Sequence, residues 1–304
     1  MATNTYEVII IGGSYAGLSA AMALGRSLRK VLLIDSGKPC NRFTPYAHNF
    51  LTQDGIPPSQ IAQKAKAQVQ QYPSIDFLTD KAVHAEKSAE GFTLTTENGG
   101  AFEAKKLIFA TGIRDILPEV PGFAACWGKS IVHCPYCHGY EFKGKKTAIL
   151  AKAEKALHLL PLIKNLTEEV SLLISDPNEY TDEQLRQLKA HKIPLLTENI
   201  KEVVHTDGKM TTLLFEDGSS QAFDALYAAL PFEQHSHMPE ALGCQLNELG
   251  YLEIEHTQKT TVEGVYACGD NSSMMRALSN AVYTGNVAGA MINMELAQEQ
   301  FLIA

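Results

Sequence analysis

Cys134 and Cys137 stand three positions apart in HCPYCHGYE, residues 133 to 141, with His138 directly after the second thiol. Four chemistries use those letters: haem attachment through CxxCH, half of a tetrahedral zinc site, a structural staple, or a reversible dithiol/disulfide switch. Haem attachment belongs to exported chains, and the amino terminus MATNTYEVII does not read as a secretory signal. Zinc needs four ligands; no second CxxC exists, and His133 and His138 flank the pair without the usual ligand spacing. A disulfide spanning two intervening residues constrains little of the unfolded chain, because the entropic gain shrinks with loop length. The redox switch fits best, and no metal site is expected. Residues i and i+3 share a helix face, so the sulfurs meet with little backbone movement. A pair that opens a helix also gains thiolate character at its first member, Cys134, from the helix dipole. The thiols of Cys126, Cys244 and Cys268 read as buried and inert.

The rest of the chain has to position that pair. Its 304 residues suit two domains, and 45% hydrophobic with 20% charged residues is the balance of a globular enzyme. A net charge of −8 without a basic stripe disfavours nucleic acid. The apolar stretch from Val8 to Gly25 approaches a membrane span in length, but Gly12, Gly13 and Gly17 suit a strand, turn and helix instead. A cytoplasmic protein without a membrane partner is the expectation. A strand is expected over Glu7–Ile11, a helix over Leu18–Leu28, and a second buried strand over Val31–Ile34 ending at Asp35. A polar helix within 57–72, a hairpin around Asn98-Gly99-Gly100 and a buried strand over Lys106–Ala110 follow. Residues 147 to 175 then repeat the opening unit at a shift of 139 positions without a gap. VIIIGGSYAG aligns with TAILAKAEKA, and KVLLIDS with EVSLLIS. A helix near 182–190, strands near 193–196, 211–215 and 264–267, and a closing helix near 279–299 complete the pattern.

The opening turn reads Gly12-Gly13-Ser14-Tyr15-Ala16-Gly17. The dinucleotide fingerprint takes glycine at its first, third and sixth places, so Ser14 makes the match partial. A preceding strand, a following helix and Asp35 at a spacing suited to a ribose diol strengthen it, and the helix amino terminus offers N–H groups to phosphates. Gly269-Asp270 in GVYACGDNS points to FAD, because a carboxylate at a strand end can accept from ribityl hydroxyls. Together, Gly12–Gly17, Asp35, Ala110-Thr111-Gly112, Cys134-Pro-Tyr-Cys137 and Gly269-Asp270 resemble, in order and spacing, the low-molecular-weight thioredoxin reductase family over nearly the whole chain.

The resemblance implies an α/β fold of two Rossmann-like (three-layer ββα) nucleotide-binding domains. An FAD domain, residues 1–114 and 243–304, would be split by a smaller domain, residues 115–242, that carries the cysteines. It implies a homodimer, with FAD contacts at Gly12, Gly13, Ser14, Tyr15, Ala16, Gly17, Asp35, Ser36, Arg42, Asn49, Thr111, Gly112, Gly269, Asp270, Ala277 and Leu278. It also implies that Cys134 faces the substrate and Cys137 the flavin. His138 stands where NADPH-using relatives usually carry Asp, and an imidazole there suits a proton shuttle for Cys134 or reduced flavin. His48, His235 and His237 are weaker candidates, the last two in FEQHSHMP, a loop that reads as groove lining or as ordinary surface.

Members of that family bind NADPH in the inserted domain through a glycine loop and an arginine cluster. The matching loop here, Ala151-Lys152-Ala153-Glu154-Lys155-Ala156, holds no glycine. Ile174 replaces the acidic residue, and Ser175-Asp176-Pro177 follows without an arginine. Side chains fill the space a pyrophosphate needs and Glu154 repels it, with Lys152 and Lys155 at the helix start as the opposing argument. The expected function is an FAD-dependent thiol–disulfide oxidoreductase that works through Cys134, Cys137 and His138 without NADPH. Such parts resemble the dithiol oxidases that close disulfides in small natural products. The partner is then a small-molecule dithiol or a thioredoxin-like protein, with oxygen or another acceptor. Run backwards, the same parts give a thioredoxin reductase fed by ferredoxin or NADPH. A non-catalytic flavin-binding sensor is the reading from another class.

Overall fold

The computed structural model describes residues 4–174 and 176–303, so Ser175 of the second repeat lies outside the described residues. The chain divides into two compact units: Met1–Cys40 with Ser59–Arg114 and Glu233–Ala304, and Asn41–Pro58 with Asp115–Phe232. The sequence expectation set its boundaries at 114/115 and 242/243. The compact units differ from it in two segments, each with a local cause. Buried Gln234 donates to the carbonyls of Gly250 and Asn271 at 2.8 and 2.9 Å, which ties 233–242 into the first unit. Within the second unit, Gly128 leaves room for Phe43: a Cβ at Gly128 would stand 3.1 Å from that of Phe43.

In the first unit, Asn4–Ile11 pairs in parallel with Val31–Asp35 on one side and Ala101–Phe109 on the other. Val8, Ile9 and Ile10 are fully buried, the signature of a parallel strand covered on both faces. The expected hairpin arm and the expected buried strand are one continuous element, Ala101–Phe109. Its first half takes Gly91–Thr96 as an antiparallel partner, and its second half takes Val265–Ala267 in parallel. The first helix runs Tyr15–Arg26, starting earlier than the sequence suggested and ending before Leu28. Leu28 adopts φ +60°, with its N–H on the Gly25 carbonyl and that of Arg29 on Leu24, a left-handed stop. This helix packs on the closing helix Leu278–Ile303 through small residues. A Cβ at Gly289 would stand 2.7 Å from the Ala20 carbonyl oxygen, and Ser19 donates to the Val282 carbonyl at 2.6 Å.

The second unit is built on a parallel sheet ordered Leu195–Leu196, Val170–Leu173, Thr147–Leu150, Ala225–Ala228, Ile131–Val132. An antiparallel trio, Ile200–Thr206, Lys209–Phe215 and Ser220–Ala222, lies beside it in sequence. The internal repeat is visible in the strand register. Val8 pairs with Val31 and Thr147 with Val170, both partners displaced by the same 139 positions. Both units are thus Rossmann-like. No helix among the described residues is long and apolar enough to cross a membrane.

Candidate active site

The strand Asn4–Ile11 delivers the chain into the Gly12–Gly17 turn, and the structure explains which of its glycines are needed. Gly12 has φ +107°, and a Cβ there would lie 2.7 Å from the Ala110 carbonyl carbon and 3.3 Å from the Thr111 nitrogen. A Cβ at Gly13 would stand 2.6 Å from that of Asp35, whose carboxylate accepts from the Gly13 N–H at 3.2 Å. One at Gly17 would run into the Gly12 carbonyl oxygen. The third fingerprint place needs no glycine: Ser14 is the N-cap in ordinary extended backbone, φ −87°. Glycine is needed instead one position earlier, at Gly13, where the side chains of Asp35 and Leu33 pack against the turn.

The neighbouring strand ends converge on this turn. Gly112 and Gly269 both take positive φ, and a Cβ at Gly269 would lie 3.1 Å from that of Ala16. Arg276 Nε stands 3.8 Å from Asp270 Oδ2, and Ala277-Leu278 opens the closing helix. Sequence reasoning missed Asn271. Fully buried, it donates to the Phe109 carbonyl at 2.8 Å and the Thr111 hydroxyl at 3.3 Å, joining the two strand ends. Its Oδ1 is buried without a hydrogen-bond partner, an acceptor left open beside the turn. Arg42 and Asn49 fall in the second compact unit, where the Arg42 guanidinium lies 4.2 Å over the Phe43 ring and Asn49 adopts φ +58°. His235 donates its N–H to the Gly112 carbonyl at 3.4 Å; His237 is exposed, paired with Glu240 at 3.0 Å.

The second repeat keeps the strand and helix but not the turn. Thr147–Leu150 is followed by Ala153–Lys164, so two residues replace the three of the first copy and the helix begins one position earlier. Ala153 and Ala156 are buried. Glu154 sits in the first turn, and the Ala153 N–H donates to Glu179 Oε2 at 3.4 Å. Glu179 closes the short turn Pro177–Glu179, directly after the Ser175-Asp176-Pro177 stretch that lacks the family's arginine. The helix end that meets phosphate in a nucleotide site therefore meets the protein's own carboxylate.

Also in the second unit, Cys134 and Cys137 form a disulfide with Cα atoms 5.3 Å apart. Cys134 is the N-cap of the short helix Pro135–His138, and its Sγ accepts from the Cys137 N–H at 3.2 Å. Pro135 at the first helical position lacks an N–H and so wastes no donor there. Both cysteines are half-buried, while Tyr136 and Tyr140 are exposed. His138 closes the helix, half-buried. Burial, and secondarily its electrostatic interaction with His48, push its pKa down to about 4, so it is neutral at neutral pH. His133 packs on the Trp127 ring at 6.2 Å. Cys126, Cys244 and Cys268 are buried, with their thiols pushed up by desolvation.

Two Rossmann-like units, one with an intact glycine turn and one bearing a cysteine disulfide, define a two-domain flavoprotein disulfide oxidoreductase. Residues 6–285 match the family described as pyridine nucleotide-disulphide oxidoreductase. Thioredoxin reductase tcpT of Claviceps purpurea is 35% identical, over 97% of this chain and 95% of that protein. The crystal structure of HlmI superposes with a TM-score of 0.92 at 29% identity, covering 98% of this chain and 94% of that one. An oxidoreductase from Agrobacterium tumefaciens gives 0.89 at 33% identity, covering 96% and 99%. The chain belongs to the pyridine nucleotide-disulphide oxidoreductase family, on its thioredoxin reductase-like side. It is an FAD-dependent disulfide oxidoreductase.

Proposed function

We propose that the protein is a dithiol oxidase of this family: it takes two electrons from a thiol substrate through Cys134 and Cys137 and does not use NADPH. One observation carries this reading. Glu179 holds the Ala153 N–H at the head of a helix whose glycine turn is gone. A pyrophosphate entering there must displace a carboxylate, pass buried Ala153 and Ala156, and withstand Glu154. The first unit supplies the contrast, since Gly12, Gly13 and Gly17 let the turn pack closely on Ala110, Asp35 and its own backbone, where any Cβ would collide. Bound FAD would supply a two-electron acceptor for the cysteine pair. The residues that fit it are the Gly12–Gly17 turn for the pyrophosphate, Asp35 and Ser36 for the adenosine ribose, and Asp270 with Gly269 for the ribityl chain. Thr111-Gly112 and Ala277-Leu278 stand beside that turn, and Arg42 and Asn49 belong to the same set through the family resemblance alone.

In the oxidative direction a substrate thiolate attacks Cys134, which forms a mixed disulfide as Cys137 leaves. The second thiol of the same substrate displaces Cys134 and closes the product disulfide. His138, neutral and next to Cys137 in sequence, is the proton acceptor for the incoming thiol. Bound FAD would pass those electrons on to oxygen or another acceptor. The substrate is a small dithiol: exposed Tyr136 lies between the two cysteines and exposed Tyr140 just after their short helix, an apolar surface suited to a small ring-bearing thiol. Two copies assemble through the closing helix, a reading supported by its exposed Met294, Phe301 and Leu302. Equilibrium binding of NADPH to the FAD-loaded protein tests the reading. No saturable binding below millimolar concentration is expected; micromolar affinity would overturn it.

A further inference from the structure

The segment Asn41–Pro58 belongs to the compact unit that carries the cysteines, although the rest of that unit begins only at Asp115. It is held to the cysteine segment at both ends. Before the disulfide, a Cβ at Gly128 would stand 3.1 Å from that of Phe43 and 3.2 Å from the Thr44 hydroxyl. The neighbouring Trp127 ring stacks on His133, next to Cys134. After the disulfide, His48 Nε2 stands 3.5 Å from Glu141 Oε1, in the turn Tyr140–Phe142 that follows the cysteine helix. The stretch from Thr44 to His48 therefore joins the two ends of the stretch that holds Cys134 and Cys137, and Tyr46 is its middle residue.

Beyond His48 the segment closes on itself as a compact loop. Ala47 and Ile56 form an antiparallel bridge, the Gly55 N–H donates to the Ala47 carbonyl at 2.8 Å, and that of Asn49 to Asp54 Oδ1 at 2.8 Å. Asn49 and Thr52 take φ +58° and +72°. Asparagine tolerates that region and a β-branched threonine does not, so the Leu51-Thr52 corner is strained. Leu51 at that corner is 88% exposed, and Tyr46 is 53% exposed. One exposed leucine would need no explanation, but a concentration of such side chains does. Among the described residues this unit exposes eight large apolar side chains, and five of them lie in the loop or beside the cysteines: Phe43, Tyr46, Leu51, Tyr136 and Tyr140. The Arg42 guanidinium covers the Phe43 ring at 4.2 Å and Lys143 Nζ the Tyr140 ring at 4.0 Å, which leaves Tyr46, Leu51 and Tyr136 as the faces open to a ligand.

We propose that Tyr46 and Leu51 are specificity residues of the dithiol site: with Tyr136 they clasp the ring of a small dithiol while its sulfurs exchange with Cys134. The inference rests on the reading of Cys134–Cys137 as the exchanging disulfide, and it names what selects the substrate. A single ring system is the occupant that fits in scale. Three side chains on a loop and a short helix cover one ring, whereas a protein partner takes roughly 20–30 residues a side. The strained, locked corner sets Leu51 in place before the substrate arrives, so little ordering is left to oppose binding. A polar dithiol gains nothing from these faces, and the clasp separates substrates by what surrounds their thiols.

The test is anaerobic reduction of the FAD-loaded protein, followed at the flavin absorbance, by two dithiols that close disulfide rings of the same size. Dithiothreitol presents hydroxyls, and ortho-bis(mercaptomethyl)benzene presents an aromatic ring. Rates are normalised to bound flavin, because Arg42 and Asn49 share the loop. Tyr46→Ser and Leu51→Ser should each raise the half-saturating concentration of the aromatic dithiol roughly 10-fold, leave its limiting rate within about twofold, and leave dithiothreitol unaffected. Tyr46→Phe and Leu51→Met keep the apolar face and should behave as the wild type. Equal changes for both dithiols, or none for either, would overturn the proposal, the former by making the loop merely structural. So would loss of a dimer in both serine variants with the dithiol ratio unmoved, which gives the surface to a second copy of the chain. A loss confined to reduction by a thioredoxin-like protein would overturn it as well. The two positions are read independently, so a variant that loads no flavin leaves the other to decide. Flavin bleaching by dithiols that survives in Cys134→Ser would remove the disulfide reading itself, an outcome distinct from any change in the ratio.

Discussion

Replacing Gly13 by Ala tests the flavin turn at the point where the structure departs from the expected fingerprint. The new Cβ would stand 2.6 Å from that of Asp35 and 2.8 Å from both Asp35 Cγ and Leu33 Cδ2. Ordinary carbon contacts begin near 3.4 Å, so roughly 0.8 Å must be made up by moving the turn or Asp35. Leu33 is 1% exposed in a packed strand and offers no room. That movement would also stretch the 3.2 Å bond from the residue 13 N–H to the Asp35 carboxylate. Overpacking of this kind costs about 1–3 kcal/mol, which is a fall of about 5- to 150-fold in FAD affinity if it is relieved only in the flavin-free state. The assay is reconstitution of flavin-free protein, followed by quenching of FAD fluorescence. Gly218→Ala is the control. Gly218 has φ +86° in open space at a hairpin tip of the other unit, so the change should cost about 1 kcal/mol of stability and leave FAD affinity alone. Unchanged FAD affinity in G13A would refute the assignment of this turn as the flavin cradle.

Other expectations follow from the same coordinates. Cys137→Ser leaves Cys134 as a free thiol that should form a mixed disulfide with the oxidised, disulfide form of a substrate, one substrate sulfur leaving as a thiolate, visible by mass spectrometry, while dithiol turnover falls roughly 10³-fold or more; a variant that still turns over would contradict the pairing. His138 titrates at about 4 folded against 6.5 unfolded, so the unfolded chain binds the extra proton between those values. Its contribution to stability is therefore full above pH 6.5 and lost as pH falls toward 4, on the order of 2 kcal/mol after allowing for solvent contact, and H138N should flatten that slope in urea titrations. Lys106→Met removes a buried ammonium held by Glu299 at 2.7 Å and Glu295 at 3.3 Å. Glu295 keeps Lys259 as a partner, so a loss of about 2 kcal/mol is expected by thermal unfolding, below the 3–5 kcal/mol of a wholly orphaned buried charge.

Much of the architecture could be read from the chain because buried parallel strands leave uninterrupted apolar runs. The match of VIIIGGSYAG to TAILAKAEKA predicts the register that the two sheets adopt. Side-chain reach across separate segments was not legible. Nothing in the spelling of Pro177-Asn178-Glu179 announces that its carboxylate caps a helix that starts 26 residues earlier. The same is true of Asn271 and Gln234, ordinary amides in the sequence that prove to be buried ties between distant segments. The need for glycine at position 13 depends on where Asp35 lies, a tertiary fact that a motif spelled along one strand cannot contain. His138 stood out as a proton carrier from its place after Cys137, but its neutrality depends on burial and on a loop far upstream.

The central claim is that electrons enter through sulfur and not through a nicotinamide. Anaerobic titration of the FAD-loaded protein, followed at the flavin absorbance maximum, tests it directly. Stoichiometric bleaching by a small dithiol, reversed on admitting air, with no bleaching by NADPH or NADH, is the predicted result. Rapid bleaching by NADPH would mean that the Ala151–Ala156 turn still seats a pyridine nucleotide despite Glu179, and the account would fail.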